Sequence, residues 1–305
     1  MIHNYQYKKL TWIDLENPSA EEIKNAIESY SIPPSIAREL MSPSLRPKVD
    51  LFDNFIYLIL HFPSLRHGNF SEKKDQEIDF IIGKNFIITV RYDAIDPIYK
   101  IAKVLEVNAI LDKESVGNHA GFLFYYMVKG MYESMESELA LLVDSIVRAE
   151  NNIFKGKERE MVTELSRLTR DILDFKRATS LHLSVLQSFE SAGRKFFGES
   201  FEYHLRDIIN EYYKVDNAIQ GNIESIQELR DTNNALLSAK QNETMRILTI
   251  FAFLTLPFSV ITGFFQMYTK DTPIIGMNND WAYIMGGITV ITLFLFIWAK
   301  EKKLL

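Results

Sequence analysis

The alternation of apolar and polar residues stops in the last fifth of the chain. Two runs there, 247–267 and 281–299, contain no Asp, Glu, Lys, Arg or His. A helix rises 1.5 Å per residue, so about 20 residues cross the roughly 30 Å hydrocarbon core of a bilayer. Each run is long enough to span a membrane. The short segment between them predicts that the two helices form a hairpin.

Basic residues flank both predicted spans. Arg246 precedes the first span, and Lys300, Lys302 and Lys303 come after the second. Basic residues at the ends of membrane helices favour the cytoplasmic side. We therefore expect a two-span protein of the inner or plasma membrane, with both termini in the cytoplasm and an external loop at 269–280.

The first part of the chain, residues 1–112, predicts a cytoplasmic domain of mixed helices and strands. Ser19, followed by Glu21 and Glu22, is typical of a helix N-cap with an acidic first turn. Three apolar runs predict strands at 55–60, 77–82 and 85–90, the last two joined by a two-residue turn at Gly83-Lys84. Asp96-Pro97 is expected to open another helix.

Long helices dominate the chain beyond this domain, since there is no proline from Gly117 until Pro257. The pattern predicts helices at 118–155 and 158–190, a turn at 191–195, and a third helix that starts near Glu199 and enters the membrane, roughly 65 residues long. A polar helix of this length has to pack against other helices or copies of itself. The fold class is therefore α+β with long stalk helices and a two-helix transmembrane hairpin. Beyond residue 112, its predicted parts are the stalk 113–245, the first span 246–268, the loop 269–280, and the second span with a basic tail, 281–305.

One face of the third helix carries a stripe of small, polar and apolar residues. From Asn242 onward its members are three or four residues apart, the 3.5-residue repeat of helices packed around a common axis. The stripe consists of Asp231, Ser238, Asn242, Met245, Leu248, Ala252, Leu256, Ser259, Gly263 and Gln266.

Polar groups inside a membrane usually face a cavity, and rings of apolar residues can gate a pore by dewetting. The stripe therefore fits a water-filled pore with an apolar constriction. One hairpin cannot enclose a pore, so this interpretation requires a ring of subunits. The alternative is that Ser and Thr bond back to their own helix and that Gly263 merely permits close packing.

Composition narrows the function further. The chain has 34 Lys and Arg against 40 Asp and Glu, a net charge of −6, which excludes nucleic-acid binding through a broad basic surface. The absence of cysteine excludes disulfides, thiolate metal sites and cysteine nucleophiles. The six histidines lack metal-ligand spacing, and no nucleotide-binding or nucleophile motif is present. We do not expect an enzyme.

Several segments, in order and spacing, resemble the CorA family of divalent-cation channels. They are Trp12-Ile13-Asp14-Leu15, Arg46-Pro47-Lys48-Val49-Asp50, Gly83-Lys84-Asn85-Phe86, and the late pattern Asn242, Met245, Leu248, Pro257 and Gly263. The resemblance covers nearly the whole chain. It implies a funnel-shaped homopentamer in the lipid bilayer, with a pore lined by the first span that takes up Mg²⁺ passively. Metal ions would be its only small-molecule substrates.

The sequence departs from the family at the external end of the pore. There the family has Gly-Met-Asn, whose Asn ring meets the hydrated cation. Counting from Pro257 and Gly263 leads instead to Gln266-Met267-Tyr268, while Gly276-Met277-Asn278 occurs ten residues later. Either the altered triplet Gln266-Met267-Tyr268 is the filter, or the loop folds back and places Asn278 over the pore. Spacing favours the first alternative.

The resemblance also implies regulatory Mg²⁺ bound between cytoplasmic domains by acidic residues. Asp207 matches one such position, and Asp53 lies in the acidic turn that usually supplies its partner, with Asn54 as the alternative at that place. Bound cations would hold the channel closed. Asp231 resembles the family's acidic ring at the cytoplasmic end of the pore, which concentrates cations.

Two other functions stay open from the sequence. One is transport of zinc or another transition metal, as in the ZntB branch of the superfamily, where the filter motif also departs from Gly-Met-Asn. The other is a membrane-anchored scaffold or sensor that has lost conduction. The polar stripe argues against the scaffold, whereas the altered filter argues for it.

Overall fold

The computed structural model describes residues 1–44, 46–63, 75–110, 117–267, 274–276 and 278–301. The described chain forms two compact units, 1–230 and 231–305. Unit 1 is a six-stranded sheet with helices, and unit 2 contains two apolar helical segments. The boundaries proposed from sequence at residues 112 and 245 stay predictions.

The sheet has the strand order β1-β2-β6-β5-β4-β3. Its strands are β1 (Ile2–Tyr7), β2 (Leu10–Glu16), β3 (Lys48–Leu51), β4 (Ile56–Phe62), β5 (Gln76–Ile82) and β6 (Phe86–Arg91). Only β2 and β6 pair in parallel among these neighbours. The three predicted strands are confirmed as β4, β5 and β6. The other three were not predicted, because β1 and β3 are partly exposed edge strands and Asp14 interrupts the apolar residues of β2.

The turn between β5 and β6 lies one residue later than predicted. The backbone N–H of Gly83 donates to the carbonyl of Phe86 at 2.8 Å, so the two turn residues are Lys84 and Asn85. The carbonyl of Lys84 accepts from the N–H of Ala120 at 2.8 Å. This contact ties the hairpin to the start of the first long helix.

Three shorter helices lie before the long ones: α1 (Ala20–Ser29), α2 (Pro34–Glu39) and α3 (Asp96–Ile110). The predicted cap of α1 is confirmed, because Ser19 Oγ accepts from the N–H of Glu22 while the Glu22 carboxylate accepts from the N–H of Ser19. The helix expected at Asp96 is confirmed as α3.

The long helices are α4 (Ala120–Phe154), α5 (Glu158–Thr179), α6 (His182–Phe197), α7 (Glu202–Gln266) and α8 (Asp280–Glu301). The predicted break near Gly156 is confirmed, and that glycine has φ +87°. The single helix predicted at 158–190 is wrong: the chain breaks at Ser180-Leu181, and 191–195 is helical. The turn before α7 lies instead at Gly198, with φ +97°, followed by a 3₁₀ turn at Glu199–Phe201. The 65-residue length of α7 confirms the predicted continuous helix.

Both faces of the sheet are covered. On one face Ile59, Ile81 and Ile88 belong to an apolar cluster with α1 and α2. On the other, the ring of Phe80 meets Phe124 of α4 edge-on, with centroids 5.1 Å apart. These contacts anchor α4, which carries two side chains of the candidate regulatory site.

Candidate ion pathway and metal site

The predicted stripe is exposed along its whole length in the single chain. Leu248 and Leu256 are 61% and 63% exposed although they lie in an apolar segment. Nothing else in the described chain covers this face of α7. The exposed members named from the sequence are Asp231, Ser238, Asn242, Met245, Leu248, Ala252, Leu256, Ser259, Gly263 and Gln266.

The stripe lies on the side of α7 that faces away from α8. Partly covered residues recur on α7 at Ile250, Leu254, Pro257, Ile261 and Phe265, again three or four residues apart. Leu254 lines a groove of about 460 Å³ together with side chains of α8. Leu256 lies two residues beyond Leu254, which is about 200° of helical rotation. The hairpin partner therefore leaves the stripe free to face an axis.

The apolar parts of α7 and α8 are not the core of a soluble protein. None of the most apolar 18-residue window of α7, and 6% of that of α8, is buried within the chain. A helix in a soluble core would be mostly covered. Surfaces this apolar and this exposed require lipid or other subunits around them.

The hydroxyl groups of this segment bond to their own helix. Ser259 Oγ donates to the carbonyl of Thr255 at 3.1 Å, and Thr262 Oγ1 donates to that of Phe258 at 3.0 Å. This is the alternative considered for the stripe, and for Ser259 it holds. This hydrogen bond is compatible with a place for Ser259 on an ion pathway. Because the hydroxyl proton is donated to the Thr255 carbonyl, the Ser259 oxygen can accept a hydrogen bond from water or face a cation.

Gly263 packs against no other side chain in the part of the chain that the structure describes. A Cβ built on this residue would meet nothing within 4 Å. Gly263 therefore leaves room for close packing against another chain.

The two candidate filters occupy different places. Gln266 is the last residue of α7, and both it and Met267 are exposed. Gly276 has φ +94°, and its N–H donates to Asp280 Oδ2 at 3.3 Å. Since Asp280 is the first residue of α8, Gly276 belongs to the turn that opens that helix; Asn278 lies in the same turn and is exposed. Tyr268 and Met277 lie outside the described residues.

Asp207 lies on α7 in unit 1 and is held by two side chains of α4. Its Oδ2 accepts from the hydroxyl of Tyr125 at 2.6 Å and from the ammonium of Lys129 at 3.0 Å. Lys129 also bonds the Tyr125 oxygen at 3.2 Å and lies 3.6 Å from a carboxylate oxygen of Glu211. The side chains of Asp207 and Lys129 are 24% and 29% exposed, so water reaches both.

These contacts fix the charges at the site. The hydrogen bonds from Tyr125 and Lys129 lower the pKa of Asp207. The bond to Asp207 raises the pKa of Lys129, with a further contribution from Tyr125. The pair is therefore a carboxylate and an ammonium at neutral pH.

Asp53 lies in the turn between β3 and β4 and is exposed. No group of three or more potential metal-ligating side chains occurs among the residues that the structure describes. Asp207 with Lys129 on it does not form a cation site within one chain. A cation there would need further ligands, from another subunit or from water. The ammonium of Lys129, which is bonded to Asp207, would oppose its binding.

Tyr125 and Lys129 were not predicted from the sequence, in which they lie 82 and 78 residues from Asp207. A signal was present in the spacing. Tyr125 and Lys129 are four residues apart on one long helix, as are Asp207 and Glu211 on another. Side chains four apart share a helix face, so two such pairs of opposite chemistry can meet.

Comparison with known proteins supplies the family. The family described as "CorA-like Mg2+ transporter protein" matches residues 7–300. The "Cobalt/magnesium transport protein CorA" of Thermotoga maritima is 21% identical over 96% of this chain and 83% of its own length. The protein of the same description from Methanocaldococcus jannaschii is also 21% identical, over 98% of this chain and 92% of its own.

The fold agrees with a solved structure from the same archaeon. The "complete structure of CorA magnesium transporter from Methanocaldococcus jannaschii" superposes with a TM-score of 0.83 at 19% identity. The match covers 96% of this chain and 90% of that chain. At this identity the likeness concerns the fold.

Proposed function

The chain belongs to the CorA-like Mg²⁺ transporter family, whose members transport divalent cations and are not enzymes, and we propose how it carries them. Five copies surround an axis with the α7 stripe facing inward, in the inner or plasma membrane. Both termini lie in the cytoplasm. Mg²⁺ enters passively along this path, and intracellular cations close it.

The observation that carries this proposal is the exposure of the stripe on the face of α7 that points away from α8. A hairpin exposes such a face only if other subunits or water cover it. The residues suit a hydrated cation. Asp231 supplies negative charge at the cytoplasmic end, and Asn242 and Ser259 offer oxygen atoms, while Leu248 and Leu256 form rings that can dewet.

Selection at the external end is assigned to Gln266, Met267 and Tyr268. Mg²⁺ dehydrates reluctantly, so a filter can recognise its water shell through neutral oxygens. Five Gln266 amides would provide such a ring. The alternative filter, Gly276-Met277-Asn278, has its glycine tied to the start of α8 and is less suited to line α7.

Regulation is assigned to Asp207 and Asp53 as ligands of an intracellular cation between subunits. The lowered pKa of Asp207 supports a carboxylate that stays charged at neutral pH. Replacing Asp207 by Ala should weaken closure by Mg²⁺. If that variant closes at the same Mg²⁺ concentration as the wild type, the regulatory assignment is wrong.

Zinc or cobalt transport and a non-conducting scaffold are the competing outcomes. The altered filter triplet is the observation that favours them, and family membership supports neither over Mg²⁺. Flux measured with each ion separates the three functions.

The pore lining can be tested by cysteine accessibility, because the natural chain contains no cysteine. Ser259→Cys places a thiol on the stripe, and Val290→Cys places one on α8 at a residue that is 67% exposed. Each variant is reconstituted in liposomes and treated with a membrane-impermeant cationic thiosulfonate. We expect Ser259→Cys to react, and its Mg²⁺ uptake to be blocked. Val290→Cys, facing lipid, should remain unreacted and active.

The opposite pattern would overturn the proposed lining. If the reagent modifies Val290→Cys and spares Ser259→Cys in protein that conducts, another face of the hairpin lines the path. Excess Mg²⁺ should slow modification of Ser259→Cys, since the ion and the reagent would share one pathway.

A further inference from the structure

A lysine ammonium lies on the carboxylate that we assign to the regulatory cation. Lys129 Nζ is 3.0 Å from Asp207 Oδ2, and the same oxygen accepts the Tyr125 hydroxyl at 2.6 Å. A divalent cation that takes Oδ2 would displace the ammonium, and one that takes the other oxygen, Oδ1, would be repelled by the ammonium at short range. Lys129 therefore opposes binding of the cation at Asp207.

We propose that Lys129 is a tethered competitor of the regulatory cation, and that displacement of its ammonium from Asp207 sets the Mg²⁺ concentration at which the protein responds. This inference rests on the proposed regulatory role of Asp207. It adds a residue of α4 to a site that the family resemblance assigns to Asp207 of α7 and Asp53 of the β3–β4 turn.

The geometry allows the exchange. Both side chains are about one quarter exposed, so water can replace each partner as the other leaves. Glu211 gives the displaced ammonium a nearby carboxylate, since one of its oxygens already lies 3.6 Å from Lys129 Nζ. The released lysine would then remain close to Asp207 and compete again when the cation leaves.

Lys214 provides a matched control. Its ammonium bonds both carboxylate oxygens of Glu211 at 2.9 Å and is part of the same charged cluster. The hydrogen bonds of Asp207 come from Lys129 and Tyr125 and not from Lys214. Removing either lysine takes away one positive charge, whereas only Lys129→Met removes an ammonium from the Asp207 oxygen.

The test measures Mg²⁺ binding apart from transport. Full-length protein in detergent is titrated with MgCl₂ at constant ionic strength, and the midpoint of Mg²⁺-dependent protection from proteolysis is recorded. Lys129→Met should lower the midpoint roughly tenfold, the equivalent of one charge-assisted hydrogen bond. Lys129→Arg should keep a midpoint near that of the wild type. Lys214→Met should shift it less than about twofold, because partly exposed charges are screened. If Lys129→Met does not fold, Lys129→Gln replaces it.

The Asp207→Asn background makes the result decisive. In that background Lys129→Met should no longer shift the midpoint, because the contested carboxylate is gone. The inference is also supported if Mg²⁺ protects Lys129→Met from proteolysis but does not protect the wild type. Three results would overturn it: an unchanged or higher midpoint in Lys129→Met, an equal shift in Lys214→Met, or a shift that persists with Asp207→Asn.

Failure of conduction is distinguishable from failure of this exchange. If liposomes take up no ion while the protection midpoints of the variants shift as predicted, the proposed channel is contradicted and the exchange at Asp207 is supported. If uptake occurs but Lys129→Met leaves the protection midpoint unchanged, the exchange is contradicted and the channel is supported.

Discussion

Arg91 is a buried charged residue in the sheet of unit 1. Its side chain is fully buried and bonds both carboxylate oxygens of Asp14, at 2.9 to 3.2 Å. It also bonds Glu16 at 2.9 Å and lies over the ring of Tyr99. A buried guanidinium is tolerable only with such a full set of partners. This cluster could not be predicted from local patterns, because Arg91 and Asp14 are 77 residues apart.

Replacing Arg91 by Met should destabilise the protein by about 3–5 kcal/mol, since Asp14 would remain buried without its cation. Arg206→Met is the control: the Arg206 side chain is 66% exposed, and its guanidinium pairs with Glu190 and Glu202 at the surface. Its loss should cost less than about 1 kcal/mol. Denaturant unfolding of both variants in detergent measures the difference. If both variants lose the same free energy of unfolding, the buried pair stabilises the protein no more than the exposed one.

His182 makes the stability depend on pH. Its ring is fully buried, and Nε2 lies 2.7 Å from the carbonyl of His61. A carbonyl only accepts, so Nε2 carries the proton and Nδ1 accepts from the hydroxyl of Tyr132 at 2.8 Å. Burial lowers the pKa of His182 to about 4, while an unfolded histidine titrates near 6.5.

Between pH 6.5 and pH 4, His182 is protonated in the unfolded chain and neutral in the folded chain. The free energy of unfolding therefore falls as the pH drops through this range. From about pH 7.5 to about pH 5.5, His182 alone should cost about 1.4 kcal/mol. His182→Gln, which keeps one donor and one acceptor, should be less stable at about pH 7.5 but lose less on acidification. His61 acts in the opposite sense, because Glu77 raises its pKa against the effect of burial. An unchanged pH slope in His182→Gln would contradict this assignment.

At the scale of single elements, helices were more predictable than strands. The N-cap at Ser19 and the breaks at Gly156 and before α7 follow local rules for polar caps and glycine. The break at Ser180-Leu181 has no local signal: neither glycine nor proline is present, and the next residue, His182, is fixed by Tyr132 and by β4. Contacts between distant parts of the chain decide this break.

The stripe on α7 is the element whose chemistry the sequence predicts in most detail. Spacing alone identified its residues, because a period of 3.5 residues survives in a continuous helix. The direction of the stripe, away from α8, is not in the spacing and comes from the exposure pattern. The sequence also does not say whether the hydroxyl of Ser259 donates to its own helix. The structure shows that it donates to the carbonyl of Thr255.

Gly263→Leu tests this face of α7 directly. A Cβ at Gly263 meets nothing within 4 Å among the described residues, so the folded subunit should accept the larger side chain. Five leucines around an axis would narrow the path, and we expect Mg²⁺ uptake to fall at least about tenfold. Gly287→Leu on α8 is the control, since its Cβ also meets nothing within 4 Å. Uptake by Gly263→Leu at the level of Gly287→Leu would place Gly263 outside the pathway.

At the scale of the whole molecule, the proposed function requires more than one chain. One subunit exposes Leu248, Leu256 and Phe264 by more than 60% each and cannot bury them itself. The sequence predicted this need from the length of the apolar runs and the single hairpin. The number five comes from the family resemblance alone. Native mass measurement should find a complex of five chains of 35.4 kDa.

The triplet at the external end of the proposed pore differs from the Gly-Met-Asn of the family. Gln266 and Met267 are exposed at the end of α7, where an amide ring could replace the asparagine ring of the family. Spacing identifies the position but not the ion that it prefers. Ion preference depends on distances between subunits and on water.

Transport itself is tested by Mg²⁺ uptake into liposomes that contain the purified protein and a Mg²⁺ indicator. Asp231→Asn serves as the pathway variant. Glu243→Gln is the control for charge, because it lies two residues before Met245 and therefore on the other side of α7. We predict rapid uptake by the wild type and Glu243→Gln, and uptake reduced severalfold by Asp231→Asn. Zinc or cobalt flux without Mg²⁺ flux would assign a different cargo, and silence for every ion in a pentameric protein would contradict the channel itself.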